Sequence, residues 1–228
     1  MSALRDELLA GAGSLGVDLV DGQADQLLSY LDLLGKWNKV YNLTAVRQAR
    51  DMLVQHLLDS LSAIPPLLRH TGGSAIRLLD VGSGGGLPGV VLAICRPELQ
   101  VDCVDTVGKK AAFIQQSAAQ LKLGNLRGVH ARVETLAGPY DVICSRAFAS
   151  LPDFVTWSGG ALAGQGVWMA MKGKHPQQEL DDLPRDVDVF HVEQLTVPGL
   201  DAERCIVWMR PRAAASVQSL NGASSPAS

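Results

Sequence analysis

Apolar positions in residues 22–41 recur at helical spacing. Leu27, Leu28, Leu31, Leu34 and Trp37 share one face, with Asp25, Asp32 and Lys36 off it. Asp21 and Gly22 are the start signals. A second helix is expected over about 48–63, through Met52, Leu53, His56, Leu57 and Leu61, stopping before Pro65-Pro66. Residues 1–72 thus form a helical extension, joined to the rest of the chain through Thr71-Gly72-Gly73-Ser74. From Ile76 the pattern changes to short apolar runs alternating with helical ones. Strands are predicted at Ile76–Val81, Gln100–Asp105, Leu126–His130, Asp141–Cys144 and Gly166–Met171, with helices at Leu87–Cys95, Lys109–Leu121 and Ser150–Leu162. Asp188–Leu195 and Arg204–Arg210 read as a closing antiparallel pair. Such alternation predicts an α/β domain over 73–212, with a mostly parallel, Rossmann-like sheet closed by an antiparallel hairpin. The Ala/Ser-rich residues 213–228 are expected to be disordered.

Between the first strand and its helix lies Leu78-Leu79-Asp80-Val81-Gly82-Ser83-Gly84-Gly85-Gly86-Leu87-Pro88-Gly89. Glycines in a strand-to-helix turn allow left-handed backbone and bring N–H groups close to a ligand. Two registers compete. Gly84-x-Gly86-x-x-Gly89 fits the dinucleotide fingerprint, with Asp105 19 residues beyond Gly86 near the spacing of a ribose-binding acid. Asp80-x-Gly82-x-Gly84-x-Gly86 instead resembles motif I of the class I S-adenosylmethionine (SAM) methyltransferases. Asp80 favours the second, because a carboxylate suits an ammonium and a sulfonium better than a pyrophosphate. The closing hairpin points the same way. An NAD-dependent oxidoreductase is the weaker reading; a methyltransferase acting on a small molecule or protein, and a SAM-binding module without turnover, stay open.

Composition narrows the class without choosing the substrate. The 228 residues are 47% hydrophobic and 19% charged, as expected of a globular domain with a sizeable core. No apolar run approaches the ~20 residues of a membrane helix, and no signal peptide is evident, so a cytoplasmic protein is expected. Cys95, Cys103, Cys144 and Cys205 form no C-x-x-C pair and read as buried thiols; the histidines show no metal-ligand spacing, so no metal is expected. The net charge of −3 argues mildly against nucleic acid, yet Lys109–Arg146 holds six basic residues against Glu134 and Asp141.

Ligands of open α/β sheets lie beyond the carboxyl ends of the strands. Those ends present Asp80 with Gly82, Gly84 and Gly86, then Asp105 as a ribose acceptor, then Arg132-Val133-Glu134 beside an adenine, then Ser145-Arg146-Ala147, then Lys172-Gly173-Lys174. Methyl transfer needs alignment more than acid–base groups, because the sulfonium is already a good leaving group. No catalytic residue is therefore expected, and His56 reads as a packed helix histidine. Arg146→Ala is expected to damage turnover far more than stability.

Further segments resemble one family. Lys36-Trp37-Asn38-Lys39-Val40-Tyr41-Asn42-Leu43-Thr44, His56-Leu57-Leu58-Asp59-Ser60-Leu61, Asp80–Gly89, Ser145-Arg146-Ala147-Phe148-Ala149-Ser150 and Met171-Lys172-Gly173 are similar to those of the bacterial small-subunit ribosomal RNA methyltransferase G family, formerly glucose-inhibited division protein B. The resemblance implies a class I SAM methyltransferase that methylates N7 of one guanosine in the decoding-region loop of 16S rRNA. It implies a small-subunit substrate and a SAM site using Gly82, Leu87, Val133, Glu134 and Arg146; a monomer is expected, though no residue decides it. The RNA candidates are Lys36, Asn38, Lys39, Asn42, Arg146, Lys172 and Lys174, with Arg47 beside them. Gly85 stands where relatives often carry Ala or Pro and is expected to loosen the loop. Lys110 replaces an Arg after Gly108-Lys109, which weakens any bidentate phosphate contact there.

Overall fold

The structure, a computed structural model, describes residues 2–20 and 22–212. Asp21 and the expected disorder of 213–228 lie outside them. Helices α1 (Ser2–Ser14) and α2 (Gln23–Tyr41) come first. A continuous helical run comes next, made of α3 (Ala49–Met52), a π-helical segment (Leu53–Leu58) and α4 (Asp59–Leu61), and then α5 (Ile64–Thr71). The α/β part runs β1 (Arg77–Val81), α6 (Gly89–Cys95), β2 (Gln100–Asp105), α7 (Gly108–Gln120), β3 (Leu126–His130), β4 (Tyr140–Arg146), α8 (Leu151–Ser158), β5 (Leu162–Lys172), α9 (Gln177–Asp181), β6 (Val187–Leu195) and β7 (Arg204–Pro211).

The seven strands form one sheet in the order β3-β2-β1-β4-β5-β7-β6. All pairings among β1 to β5 are parallel, and β7 runs antiparallel between β5 and β6. The expected closing hairpin is therefore present. Strand β1 is buried from Leu78 to Val81 because helices cover both faces, which is why its only polar residue in that span, Asp80, stands out among Leu78, Leu79 and Val81.

Three differences from the sequence reading have physical causes. The helical run ends at Leu61, before Pro65 and Pro66 as expected, but the prolines also open a further helix that the sequence reading lacked, since the first turn of α5 needs no N–H donors from them. Helices α1 and α9 had no clean apolar period to announce them. The extension also shares its core with the sheet: Leu27, Tyr30 and Leu34 of α2 pack in one cluster with Val90 and Val91 of α6 and Phe113 of α7. A second cluster, with Leu79, Ile143, Phe154 and Trp168, fills the other face. All four cysteines are free and buried. Among the described residues no helix is long and apolar enough to cross a membrane.

Candidate functional site

After Val81 the chain turns with φ of 64°, 58° and 87° at Gly82, Gly84 and Gly86. These are the glycines of the Asp-x-Gly-x-Gly-x-Gly register; Gly89 instead opens α6. A Cβ at Gly82 would collide with the ring of Phe148, and one at Gly86 with Val90. Over Gly84 the nearest atom to such a Cβ is the Gly82 carbonyl at 3.9 Å, so this side of the loop is open. Gly85, expected to loosen the loop, is held: its carbonyl accepts from the buried Tyr30 hydroxyl at 2.5 Å.

Asp80 and Asp105 hold the loop from two sides. Asp80 is wholly buried; its Oδ2 accepts from the Gly89 amide at 2.9 Å, and its Oδ1 has no partner. Burial lifts its pKa to about 7. The carboxylate thus ties the loop to the start of α6 from beneath, through one oxygen only. Asp105 accepts from the Gly84 amide at 3.0 Å and the Val107 amide at 2.8 Å, with Lys110 Nζ 3.7 Å away. Two carboxylate oxygens offer about four acceptor sites, so two remain for a diol. The open glycine turn and this half-used carboxylate fit the ribose end of SAM.

A cavity of about 530 Å³ opens at the carboxyl ends of β4 and β5, lined among others by Gln55, His56, Asp59, Leu87, Arg146 and Lys172. Asp59, 1% exposed, bridges two arginines: Oδ2 accepts from Arg146 Nη1 and Oδ1 from Arg204 Nε, both at 2.7 Å. Arg146 Nη1 also donates to the Gln55 carbonyl at 2.8 Å. That carbonyl belongs to the π-helical segment. His56 Nε2 lies 2.9 Å from Thr44 Oγ1, and its buried Nδ1 has no partner. Burial, then the Arg146 charge, lowers its pKa to about 4, so the ring is neutral at pH 7.

The remaining expected residues divide. Val133 is buried in the second core cluster, leaving only its backbone for a ligand, while Glu134 sits at the surface paired with Arg132 at 2.8 Å. Lys172 Nζ donates to Glu179 at 2.7 Å and the Ala149 carbonyl at 3.0 Å, so its charge is already matched. Asn38, an expected RNA contact, is buried, its amide donating to the Val46 carbonyl at 3.1 Å and accepting from the Thr44 amide at 2.9 Å, so it shapes the end of α2. Lys36 pairs with Asp32 at 2.6 Å. Lys39, Asn42 and Lys174 are exposed, Asn42 in left-handed conformation at the end of α2 with Arg47 3.1 Å from its Oδ1. Sequence reasoning missed Asp59, Arg204 and Tyr30. Asp59 lay within the quoted His56–Leu61 segment, but nothing local showed that strands β4 and β7 would bring two arginines to it.

Residues 23–207 match the family model GidB, described as rRNA small subunit methyltransferase G. Ribosomal RNA small subunit methyltransferase G of Acidovorax ebreus is 66% identical over 218 residues, covering 92% of this chain and 96% of the relative. Its counterpart in Leptothrix cholodnii is 64% identical over 213 residues, covering 93% and 98%. Among solved structures, magnesium protoporphyrin IX methyltransferase from Synechocystis with bound SAM superposes with a TM-score of 0.56 at 13% identity, covering 81% of this chain and 97% of that one. TrmN from Thermus thermophilus superposes with a TM-score of 0.55 at 17% identity, covering 70% and 53%. The two solved structures share the fold.

Proposed function

The chain belongs to the GidB family, rRNA small subunit methyltransferase G, and from that premise we propose that it transfers the methyl group of SAM to N7 of one guanosine in the decoding-region loop of 16S rRNA, on the small subunit and as a monomer. The observation that carries the placement is the adjacency of the glycine turn to the Asp59–Arg146–Arg204 cavity, with Leu87 following one and lining the other.

SAM, when bound, supplies a methyl on a sulfonium that needs no activation by the protein. The open face at Gly84 and the free acceptor sites of Asp105 would hold its ribose, and the backbone of Val133-Glu134 lies at the neighbouring strand end for the adenine. Phe148, over Gly82 and edge-on to Trp157 at 5.8 Å between centroids, closes the other side of the turn. Guanine N7 carries a free lone pair, so no proton is removed before attack. A neutral His56 is compatible with that and is not required by it. The remaining demand is alignment of the acceptor ring, which fixed donors at the cavity wall can supply.

The test uses small subunits from a strain lacking this protein, incubated with the purified enzyme and methyl-labelled SAM, followed by borohydride and aniline cleavage at 7-methylguanosine. One cleavage in the decoding-region loop is the expected result. Unlabelled subunits, with SAM binding intact by calorimetry, would redirect the reading to a small-molecule or protein acceptor.

A further inference from the structure

Resting on the rRNA-methyltransferase reading, the geometry points to Asp59 as a positioning residue that fixes Arg146 and Arg204 as one rigid pair of donors facing the acceptor base. Its carboxylate is buried while the two guanidiniums are each about a fifth to a quarter exposed, so the anion is inside and the cations form the cavity wall. Each guanidinium gives only part of its fork to Asp59: Arg146 uses Nη1 and Arg204 uses Nε. Arg204 places its Nη1 on the Glu203 carbonyl at 2.8 Å, which leaves N–H groups of both residues free of these bonds. Acceptor chemistry sets what such donors can do. N7 must keep its lone pair for the methyl, so the neighbouring O6 and the flanking phosphate are the groups left to bind.

Charge sets what the carboxylate has to offset. Two guanidiniums held on one carboxylate would repel each other strongly without it. As the reaction proceeds, positive charge arrives on the guanine ring beside them. Asp59 offsets one of the two cations there and keeps the pair from splaying away from the ring. Its own position comes from the helical run: it directly follows the π-helical segment, whose Gln55 carbonyl takes a further bond from Arg146. Three elements distant in sequence thereby converge on one buried carboxylate.

Asp59→Asn keeps the shape and removes the charge. On small subunits it is expected to lower kcat/KM about a hundredfold, as for a misplaced alignment group, while SAM affinity by calorimetry stays within about threefold, under 1 kcal/mol. In the ligand-free protein, the ¹⁵N-resolved Arg204 Nε–H is expected to be protected from exchange in wild type and to lose that protection in the variant. Arg204→Gln should harm turnover in wild type and add little in the Asp59→Asn background, since residues acting as a unit are non-additive. If Asp59→Asn does not fold, Asp59→Glu decides with the same readouts, because it keeps the charge and shifts both guanidiniums. Wild-type turnover in a folded variant, additive effects of the two substitutions, or a fall in SAM affinity as large as the fall in turnover would overturn the positioning role. Wild-type protein that binds SAM but labels no subunit would instead overturn the functional reading, and this role with it.

Discussion

Tyr30 shows how much a single buried hydroxyl can hold. Its O–H donates to the carbonyl of Gly85, a residue whose missing Cβ gives the loop no rigidity of its own. Tyr30→Phe leaves that carbonyl without its partner, which removes roughly 1 kcal/mol of stability. A melting point a few degrees lower and a SAM affinity several-fold weaker are expected by scanning and titration calorimetry, about the size a lost buried bond allows. Unchanged SAM affinity would show that the loop keeps its shape without Tyr30. Asp80 and His56 give opposite pH signatures. Asp80 titrates at about 7 when folded against ~3.9 when unfolded. Between those values the folded chain binds the extra proton, so its contribution to stability falls as pH rises from about 4 to about 7 and is level above. His56, lowered to about 4 from ~6.5, loses its contribution as pH falls through that same window. Asp80→Asn isolates the first effect: urea unfolding is expected to show the variant gaining on wild type as pH increases from about 4 to about 7. A difference independent of pH would mean that Asp80 ionises as freely folded as unfolded. Arg146→Ala is now expected to lower stability as well as turnover, because it strips one of two partners from buried Asp59. The destabilisation should stay below the 3–5 kcal/mol or so of a fully broken buried pair, since Arg204 remains.

At the scale of elements, period and punctuation carried most of the sheet. Strands β2 and β3 begin and end where the sequence placed them, at Gln100–Asp105 and Leu126–His130, because apolar runs flanked by turns leave one solution. The π-helical segment was not legible. Its residues Leu53–Leu58 have an ordinary helical pattern, and the widened turn is stabilised by tertiary partners such as Arg146. The glycine turn was legible as a left-handed strand-to-helix turn, but the bond of Asp80 to the Gly89 amide was not, because an acid at a strand end looks the same whichever way its side chain turns. The extension shows the same limit: helical spacing announced α2 but could not say what its apolar face covers. Four side chains of α2, namely Leu27, Tyr30, Leu31 and Leu34, are buried in the common core. At roughly 1.5–3 kcal/mol each they rival the whole stability of a domain, about 5–15 kcal/mol. A fragment of residues 73–212 is therefore expected to show no cooperative thermal transition and no SAM binding. A sharp melt from that fragment would make the helices an accessory cap instead of a wall of the core.

Over the whole molecule, charge is arranged for local recognition more than for long-range attraction to RNA. The net charge is −3, and many cations that could meet phosphate are already paired: Lys36 with Asp32, Lys110 with Asp105, Arg127 with Asp102, Arg132 with Glu134, Lys172 with Glu179, and Arg146 and Arg204 with Asp59. Lys39 on α2 and Lys174 just after β5 are exposed, and Lys174 follows Gly173 of the cavity wall. Lys109 lies over the Tyr41 ring, 5.4 Å from its centroid, beside the same end of α2. Each neutralised phosphate steepens the salt dependence of binding by about 0.7–0.9 in a log–log plot. With the three cations that line the cavity, Arg146, Lys172 and Arg204, all engaged on carboxylates, a slope of only about −2 to −3 is expected for kcat/KM on small subunits against salt, where a protein binding RNA chiefly through phosphates gives about −5 or steeper. For the same reason naked 16S rRNA should be a poor acceptor, since the assembled subunit must present the guanosine in the shape that the cavity accepts. Methylation rates across a salt series, on subunits and on naked rRNA in parallel, measure both. A steep slope with efficient methylation of naked rRNA would mean that the ion pairs open on binding and that phosphate attraction does the recruiting. A shallow slope confined to the subunit would place recognition in the shape of the site, where Asp59 and its two arginines stand.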